Sequence, residues 1–286
     1  MMALDRLIWN IVIDFLTLGC VALPLLLLTV LGEPHERGYF QNDESIRLPL
    51  KPETVSEGAL AGGGFAIVIV SIIGIEMFRD RRGKGIGEKY MSGALVPGWV
   101  WESYRAIGVY TFGAACQQLS ANMAKYILGR LRPHFYDVCR PLANSTSPLN
   151  ELGYIIDYTC QTNDSRLIKN ARLSFPSAHS SYAIYSALYL IFYIQTKAKW
   201  RGSKLLRHGI QFAALMGAWY VGISRVVDHY HHWSDVAAGF VNGTVFAVLT
   251  FVYILRPKKY GLPSSWQGRP QEGNVQNELS QPALAR

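Results

Sequence analysis

Three things are scarce in this sequence: charge, an N-terminal leader and metal-ligand patterns. Charged residues are 17% of the 286 residues and are absent from long stretches, unlike their spread in a soluble chain of one or two domains. Before the first apolar run Arg6 is the only base, and no small-residue cleavage site follows, so we expect a retained signal-anchor helix rather than a cleavable signal peptide. Among the candidate site residues below, no Cys/His spacing or carboxylate pair indicates a metal ion, and we expect no cofactor.

The apolar residues gather into six runs, most of them close to the ~20 residues that cross a bilayer. These runs are 7–31, 59–77, 104–128, 182–194, 206–223 and 236–255. The third contains Gln117 and Asn122, which should face a helix bundle, and the fourth reaches spanning length only if it begins near His179. We predict an all-α, six-span integral membrane protein in which residues 1–260 form one domain and 261–286 form a disordered cytoplasmic tail.

Other side chains inside the runs have structural interpretations. Asp14 is either a polar contact inside the helix bundle or part of a polar pathway, and we expect the structural contact. We expect Glu76 to be an interfacial or interhelical partner. We expect Cys20 and Cys116 to be buried thiols.

The charges are distributed unevenly between alternate loops. Residues 79–97, 197–207 and the start of the tail are basic, whereas 32–57 carries six acidic residues against three bases. By the positive-inside rule both termini are cytoplasmic, and loops 32–57, 129–178 and 226–233 lie outside or in a lumen. The net charge of +8 therefore indicates membrane orientation rather than a nucleic-acid partner. We expect the plasma membrane, with the ER or Golgi as the alternative; whether the chain is a homo-oligomer stays open.

The large outside loop, 129–178, holds the residues expected to be modified. Cys139 and Cys160 both fall in it, and an oxidising compartment permits a disulfide closing about 20 residues. Asn144 and Asn163 begin glycosylation sequons in the same loop. A third sequon, at Asn242, lies inside the sixth run and should be out of reach.

The densest polar stretch, ISRVVDHYHHWSD at 223–235, separates the last two apolar runs. If a helix begins near His231, then His231 and Asp235 are one turn apart and face the same way. A carboxylate in that position can orient a catalytic imidazole. The alternative is a hydrated turn between two membrane helices, with side chains that reach the interface.

Two further polar segments are predicted at the same membrane surface. Lys125 and Arg132 are seven residues apart at the end of the third run, on one helix face, whereas Arg130 should point elsewhere and is left out of the site. Ser177 can cap the fourth helix, whose first turn contains His179 and offers free N–H groups to an anion. Each segment alone also fits basic or polar side chains at a membrane interface.

Together these segments suit phosphoryl transfer. Lys125, Arg132, Arg225 and Ser177 can hold a phosphate. His231, oriented by Asp235, can attack phosphorus and form a phosphohistidine, while His179 protonates the leaving alkoxide and then activates water.

The charged motifs of the candidate site resemble those of a known family. The three segments contain, in order, Lys-x6-Arg-Pro at 125–133, Pro-Ser-x-His at 176–179 and Ser-Arg-x5-His-x3-Asp at 224–235. These motifs resemble the signature motifs of the type 2 phosphatidate phosphatase superfamily. Stretches such as RGYFQNDESIRLP at 37–49 and FGAACQQL at 112–119 are similar to the animal lipid phosphate phosphatases, and the similarity covers nearly all of residues 5–255.

The resemblance implies a six-span enzyme with an outward or lumenal site. Its implied substrates are phosphatidate, lysophosphatidate, sphingosine 1-phosphate and ceramide 1-phosphate, hydrolysed without Mg²⁺. By motif, His231 is the nucleophile, Asp235 its partner and His179 the acid and base, while Lys125, Arg132, Ser177 and Arg225 bind phosphate. One position departs from the family, which usually has Gly where Ala178 stands. Ala is harmless there if the position is an ordinary first-turn helical one, and costly if it needs positive φ.

Three other functions compete with this one. A non-enzymatic relative that only binds lipid phosphates would lack a motif His, Arg or Lys, and none is missing. A transporter would place its polar residues near the membrane midplane rather than at one surface. An enzyme of the same superfamily acting on a soluble phosphate ester would share these motifs, although a site at membrane level favours a lipid.

Overall fold

The computed structural model of this protein describes residues 2–91, 94–144, 153–198 and 204–256, and most of them are helical. The helices are α1 (Met2–Leu31), α2 (Glu57–Arg81), α3 (Gly98–Leu128), α4 (Phe135–Cys139), α5 (Ser165–Ala171), α6 (Ala178–Lys197), α7 (Lys204–Val227) and α8 (Trp233–Leu249). A π-helix, Thr250–Leu255, continues α8, and a 3-10 turn covers Glu44–Ile46. The predicted tail, 261–286, lies outside the described residues.

Within the described ranges, six short strands form three antiparallel pairs. They are β1 (Tyr39–Phe40), β2 (Lys89–Met91), β3 (Ala94–Val96), β4 (Pro141–Ala143), β5 (Tyr154–Ile155) and β6 (Tyr158–Cys160). β1 pairs with β5, β2 with β3 and β4 with β6. Two of these pairs brace the loops at the end of the bundle where α6 begins, because β4, β5 and β6 all lie between α3 and α6.

The six long helices coincide with the six apolar runs, but they are not equally apolar. Within the part of the chain that the structure describes, four segments are long and apolar enough to cross a membrane: Ile8–Leu31, Glu57–Arg81, Leu205–Val227 and Trp233–Leu255. The other two long helices, α3 and α6, are more polar because they carry the interior contacts of the bundle. Composition therefore supports an integral membrane protein, while the count of six spans remains a proposal.

Helix α6 lies at the centre of the bundle and contacts α2, α3, α7 and α8. Its tyrosines recur every three or four residues, so they share one face and fill the core beside α3. Burial of a phenol requires a partner for its hydroxyl. Tyr185 donates to the Tyr110 carbonyl at 2.8 Å, and Tyr189 donates to the Ala106 carbonyl at 2.7 Å.

Two glycines allow α8 to approach the start of α6. A Cβ at Gly239 would lie 2.4 Å from the Ser177 carbonyl oxygen, and one at Gly243 would lie 2.1 Å from that of Ser181. Because these contacts involve backbone atoms, they cannot be relieved by rotating a side chain. The close approach holds the first turns of α6 and α8 side by side.

At the other end of α6, charged side chains and one tyrosine form a group that we call the inner cluster: Glu76, Arg79, Glu102, Tyr193 and Lys197. Arg79 and Tyr193 both donate to the Glu76 carboxylate, at 2.7 and 2.5 Å, and Lys197 donates to Glu102. This confirms the expected interhelical role of Glu76. Asp14 also contacts another helix, since the Tyr104 hydroxyl donates to it at 3.2 Å.

The large loop has a small core of its own at the opposite end. Tyr39, Phe135 and Ile155 are buried in it beside the disulfide between Cys139 and Cys160, whose Cα atoms lie 4.6 Å apart. The disulfide prediction is confirmed. The prediction of buried thiols is wrong for Cys20, which is exposed because α1 packs mainly along one side against α3. Cys116 is partly exposed.

Candidate functional site

The three polar segments meet at the end of the bundle where α6 begins. The Ser177 amide donates to the Asp235 carbonyl at 3.0 Å, which joins the second segment to the third. The Ser174 amide donates to the Arg130 carbonyl at 3.0 Å, which joins the first segment to the second. The predicted site residues are thus tied together through backbone atoms, independently of their side chains.

The third segment places His231 just before α8. That helix begins at Trp233, two residues later than the prediction required, but the one-turn relation between His231 and Asp235 is kept. His231 Nδ1 lies 3.7 Å from Asp235 Oδ2, an ion-pair distance that is longer than a normal hydrogen bond. Both side chains are buried. The carboxylate therefore faces the imidazole from one side.

Asp235 has three closer partners. Arg130 Nη1 donates to its Oδ1 at 2.5 Å, Ser174 donates to its Oδ2 at 2.6 Å, and the His232 amide donates to Oδ2 at 3.0 Å. The exclusion of Arg130 from the site is wrong. It assumed that the helix continued, whereas α3 ends at Leu128 and Gly129 takes the left-handed conformation with φ of 54°.

Gly129 was the sequence signal that could have revealed Arg130, because glycine after a helical run is a common C-cap. A Cβ there would lie 2.0 Å from the His35 carbonyl oxygen, so the turn has no room for any side chain at this position. Ser174 had no comparable signal, because its contact with Asp235 spans 61 residues.

Buried cations surround the two imidazoles. We call Lys125, Arg132, His179, Arg225 and His231 the outer cluster. The three cations are buried, and Lys125 and Arg132 lie within electrostatic range of both histidines. In the described ranges neither Lys125 nor Arg132 forms an ion pair, whereas Arg225 Nη2 donates to Asp228 Oδ2 at 3.1 Å.

Tyr230 lies close to both guanidinium groups. The Arg132 guanidinium carbon lies 5.2 Å from the centre of its ring, and that of Arg225 lies 4.8 Å from it. The electron-rich faces of a ring stabilise cations, so Tyr230 permits two like charges in one pocket. The His134 ring packs edge-on against the Tyr230 ring, with 5.0 Å between the ring centres. His134 Nδ1 hydrogen-bonds to the His229 carbonyl oxygen at 2.9 Å. Sequence reasoning gave no role to Tyr230 or His134.

The start of α6 supplies the remaining site residues. Ser177 is the N-cap, and its hydroxyl accepts from the Ser180 amide at 3.3 Å. Ala178 is the first helical residue, and it is not among the described non-glycine residues with positive φ. An alanine therefore fits this position without backbone strain. His179 is half-buried in the first turn.

Three buried polar atoms of the outer cluster have no hydrogen-bond partner among the residues that the structure describes. They are His179 Nε2, Arg225 Nε and His231 Nδ1. His231 Nδ1 faces Asp235 at 3.7 Å, which leaves His179 Nε2 and Arg225 Nε for a ligand. Leaving such atoms unpaired costs about 1–3 kcal/mol each, so a native protein keeps them where a ligand will satisfy them. Excess positive charge and free donors together fit an anion.

Burial and neighbouring cations shift the ionisation of the site's loop residues. Burial lowers the pKa of His231 well below its ordinary value, with Asp235 opposing the shift and Arg132 and Lys125 adding to it. Burial lowers the pKa of Arg132 to about 10, so it remains charged at neutral pH. The free His231 imidazole is therefore neutral, as a nucleophile requires.

A cavity of about 420 Å³ extends from His179 between α1, α2, α3 and α6. Its lining is mainly apolar, with Leu25 of α1 and Phe65 of α2 among the contributors. Glu57 and Gln118 supply polar atoms to the lining. The polar cluster thus adjoins a space suited to a hydrocarbon chain.

The predicted modification sites have different settings. Asn144 and Asn163 are exposed in the large loop. Asn242 is partly buried in α8, where its amide donates to the Gln117 carbonyl at 3.1 Å and to Ser181 Oγ at 2.9 Å. In the described residues no group of three His, Cys, Asp or Glu side chains is placed to hold a metal ion.

Comparison with known proteins gives consistent matches. The PAP2 superfamily matches residues 106–259. Phospholipid phosphatase 2 of Mus musculus is 36% identical over 251 residues, which is 85% of this chain and 85% of the relative. Phospholipid phosphatase 2 of Homo sapiens is 35% identical over 245 residues, or 85% and 82% of the two chains.

A Drosophila melanogaster protein with a provisional phosphatidate phosphatase name is 40% identical over 262 residues, covering 87% of this chain and 69% of the relative. No solved structure gives a significant match. The matched range includes all three polar segments of the site.

Proposed function

This chain belongs to the PAP2 superfamily, and on that premise we propose that it is a lipid phosphate phosphatase whose active site is the outer cluster. Curated relatives that it matches over most of its length are named phospholipid phosphatases, which supports the activity. The observation that carries the proposal is the convergence of two imidazoles, three buried cations and three unpartnered polar atoms at one end of the bundle.

In the proposed reaction the phosphate of the substrate lies among Lys125, Arg132 and Arg225, near the first turn of α6. These charges stabilise the equatorial oxygens as phosphorus is attacked. His231 attacks through Nε2, the ring nitrogen further from Asp235. A bond forms between Nε2 and phosphorus, and the bond from phosphorus to the lipid oxygen breaks.

Protonated His179 donates its proton to the leaving alkoxide, which departs as the lipid alcohol. His179 then accepts a proton from water, and the hydroxide attacks phosphorus. The bond to His231 breaks, inorganic phosphate is released and both imidazoles return to their starting state. Asp235, held by Arg130 and Ser174, stabilises the positive charge on His231 during the attack.

The substrate class follows from the cavity beside His179. Its apolar lining can take the hydrocarbon chain of phosphatidate, lysophosphatidate, sphingosine 1-phosphate or ceramide 1-phosphate while the phosphate reaches the cations. We propose hydrolysis without Mg²⁺, because Lys125, Arg132 and Arg225 supply the charge that a divalent cation would otherwise provide.

We further propose six spans within residues 1–260, with α3 and α6 crossing beside the four apolar helices. Both termini then lie in the cytoplasm and the outer cluster faces outside or a lumen, consistent with the plasma membrane. Asn144 and Asn163 would be glycosylated there, and a glycosidase should increase gel mobility of wild type but not of a variant with both changed to Gln. Unchanged mobility of the wild type would contradict that placement.

The activity is tested by phosphate release from a panel of substrates in the presence of EDTA. The panel contains the four lipid phosphates, glycerol 3-phosphate and glucose 6-phosphate. We expect release from the lipids only, with no inhibition by the chelator. Release confined to the soluble esters would instead indicate a different enzyme of the superfamily, and binding without release would indicate a non-enzymatic relative.

A further inference from the structure

A second cavity lies at the opposite end of the bundle from the outer cluster. It has a volume of about 590 Å³ and is lined by α2, α6 and α7, with Lys197 among the α6 residues. His179 and Lys197 are eighteen residues apart in α6, which is about 27 Å along the axis. That separation approaches the ~30 Å thickness of the hydrocarbon core. The two cavities therefore open at opposite surfaces of the membrane.

The lining of this cavity is divided by polarity. Its apolar part includes Val70, Ile75 and Ile194. Its rim carries five cations and, among the described lining residues, no carboxylate: Arg79, Arg82, Lys84, Lys197 and Arg207. An apolar cleft with a basic rim has the polarity of a site for an amphiphilic anion.

Two of the five cations are already matched by acids of the inner cluster. Arg79 is paired with Glu76, and Lys197 with Glu102. These pairs fix the wall of the cavity and contribute little net charge to it.

The other three cations give the cavity its net positive charge. In the part of the chain that the structure describes, none of Arg82, Lys84 and Arg207 is paired with a carboxylate. The Arg82 guanidinium lies 4.2 Å from the centre of the Phe78 ring, which holds it at the rim. Arg207 Nε is buried and has no hydrogen-bond partner in the described segments. A donor left unpaired beside a basic cavity needs an acceptor, and a phosphate oxygen is one.

We propose that this cavity binds an anionic phospholipid of the leaflet opposite the active site. The headgroup phosphate lies among Arg82, Lys84 and Arg207, and the acyl chains lie along the exposed apolar faces of α2 and α7. Val70 and Ile210 line the cavity and are 69% and 40% exposed, so the chains have a surface to cover. Basic pockets between membrane helices on the cytoplasmic side recognise anionic headgroups by this charge complementarity.

This lipid is not the substrate, because the length of α6 separates it from His231. The inference requires only that the two ends of α6 lie at opposite surfaces, and it holds whether or not the outer cluster turns over lipid phosphates. Its test can therefore fail while the proposed enzyme activity stands.

The test uses native mass spectrometry of the purified full chain in detergent, titrated with dioleoyl phosphatidylserine or dioleoyl phosphatidylcholine. Phosphatidylserine is anionic but is a phosphodiester, so a phosphomonoesterase does not consume it. The variant R82A/R207A should bind phosphatidylserine about tenfold more weakly than wild type. The matched control R81A/R256A removes two exposed cations that do not line the cavity, and its affinity should change less than twofold.

A second variant tests the shape of the cavity with all charges present. Gly74 lines it, and a Cβ there meets no atom within 4 Å, so Gly74→Phe fills the space without a clash at Cβ. It should weaken phosphatidylserine binding about tenfold. Gly63→Phe on the same helix is the control, since a Cβ at Gly63 also meets no atom within 4 Å and Gly63 lies outside the cavity.

The unfolding temperature in detergent should be close to that of the wild type in all four variants, which shows that they are folded, and phosphate release from detergent-solubilised lysophosphatidate should also be unchanged. Equal losses of binding in test and control variants would mean general attraction to basic surface and would overturn the proposal. So would equal binding of phosphatidylcholine, or displacement of phosphatidylserine by glycerophosphoserine at similar concentration, which would indicate a site for a free anion.

Discussion

The two ends of α6 each bury several charged side chains, but they match those charges differently. In the inner cluster, Glu76 and Glu102 face Arg79 and Lys197, and Tyr193 supplies a further donor to Glu76. In the outer cluster Arg225 is paired with Asp228 and Glu53, but within the described part of the chain Lys125 and Arg132 have no acidic partner and three polar atoms have no hydrogen-bond partner. Buried charges that are paired with opposite charges contribute to the stability of the fold. Unpaired buried charges do not, and they persist only because the rest of the fold is stable enough to keep them buried.

Paired buried charges such as those of the inner cluster therefore indicate a structural role, and unpaired ones such as those of the outer cluster indicate a functional site. Unpaired buried charge costs free energy, so its persistence indicates a ligand that completes it. Changes in the outer cluster should therefore alter activity more than stability, and changes in the inner cluster should do the reverse.

The largest effect is expected from His231→Ala. Loss of the nucleophile should lower phosphate release from lysophosphatidate roughly 1,000-fold or more. The unfolding temperature in detergent should stay the same or rise, because a buried unpartnered atom is removed. A variant that unfolds at a much lower temperature and keeps its activity would reverse the comparison.

The inner cluster should give the opposite result with Glu76→Gln. The change leaves Arg79 and Lys197 with one carboxylate fewer in a buried site, which costs about 3–5 kcal/mol of unfolding free energy. Turnover per folded molecule should change less than twofold. The control is Glu88→Gln, which removes an exposed carboxylate and should cost no more than about 0.5 kcal/mol. Equal stability of the two variants would contradict the structural role of the inner cluster.

A pH dependence of stability should come from His134 at the outer end. Burial, with the nearby charge of Arg132, lowers its pKa from 6.5 to about 4, so the folded protein binds fewer protons than the unfolded chain between these values. The free energy of unfolding is therefore highest, as far as His134 determines it, above pH 6.5. It decreases by about 3 kcal/mol as the pH falls to 4.

Thermal unfolding in detergent from pH 7.5 to 4 measures this contribution. Between pH 6.5 and 4 the unfolding temperature of His134→Asn should fall less than that of the wild type. An identical pH profile in wild type and variant would show that His134 does not titrate in this way.

The smallest effect is expected from Arg130→Gln. Arg130 reaches the reaction only through Asp235, so its loss should lower kcat about tenfold and leave KM nearly unchanged. Arg166→Gln, which changes an exposed arginine of α5, is the control and should retain wild-type kcat. A change in KM alone would place Arg130 at the substrate rather than behind the carboxylate.

The sequence predicted those parts of the molecule that depend on local patterns. Apolar runs located the six long helices, and the four-residue spacing of His231 and Asp235 placed them together although α8 begins two residues later than expected. The disulfide and the cap at Ser177 also follow from local rules.

Contacts between distant segments were beyond such rules. The helix end at Gly129 redirected Arg130 to Asp235, 105 residues away. Arg79 reaches Glu76 from the same helix, whereas Tyr193 and Lys197 come from α6, and only the packing of the two helices brings them to it. The exposure of Cys20 depends on how little of α1 the bundle covers.

The most direct test of the account is the covalent step at the outer cluster. The full-length protein is mixed with lysophosphatidate carrying ³²P in its phosphate, denatured within milliseconds and digested, and the labelled peptide is sequenced. We predict an acid-labile, base-stable label on the peptide that contains His231, present in the wild type and absent in His231→Ala. Undiminished label in His231→Ala, or rapid turnover with no label in any variant, would contradict the account.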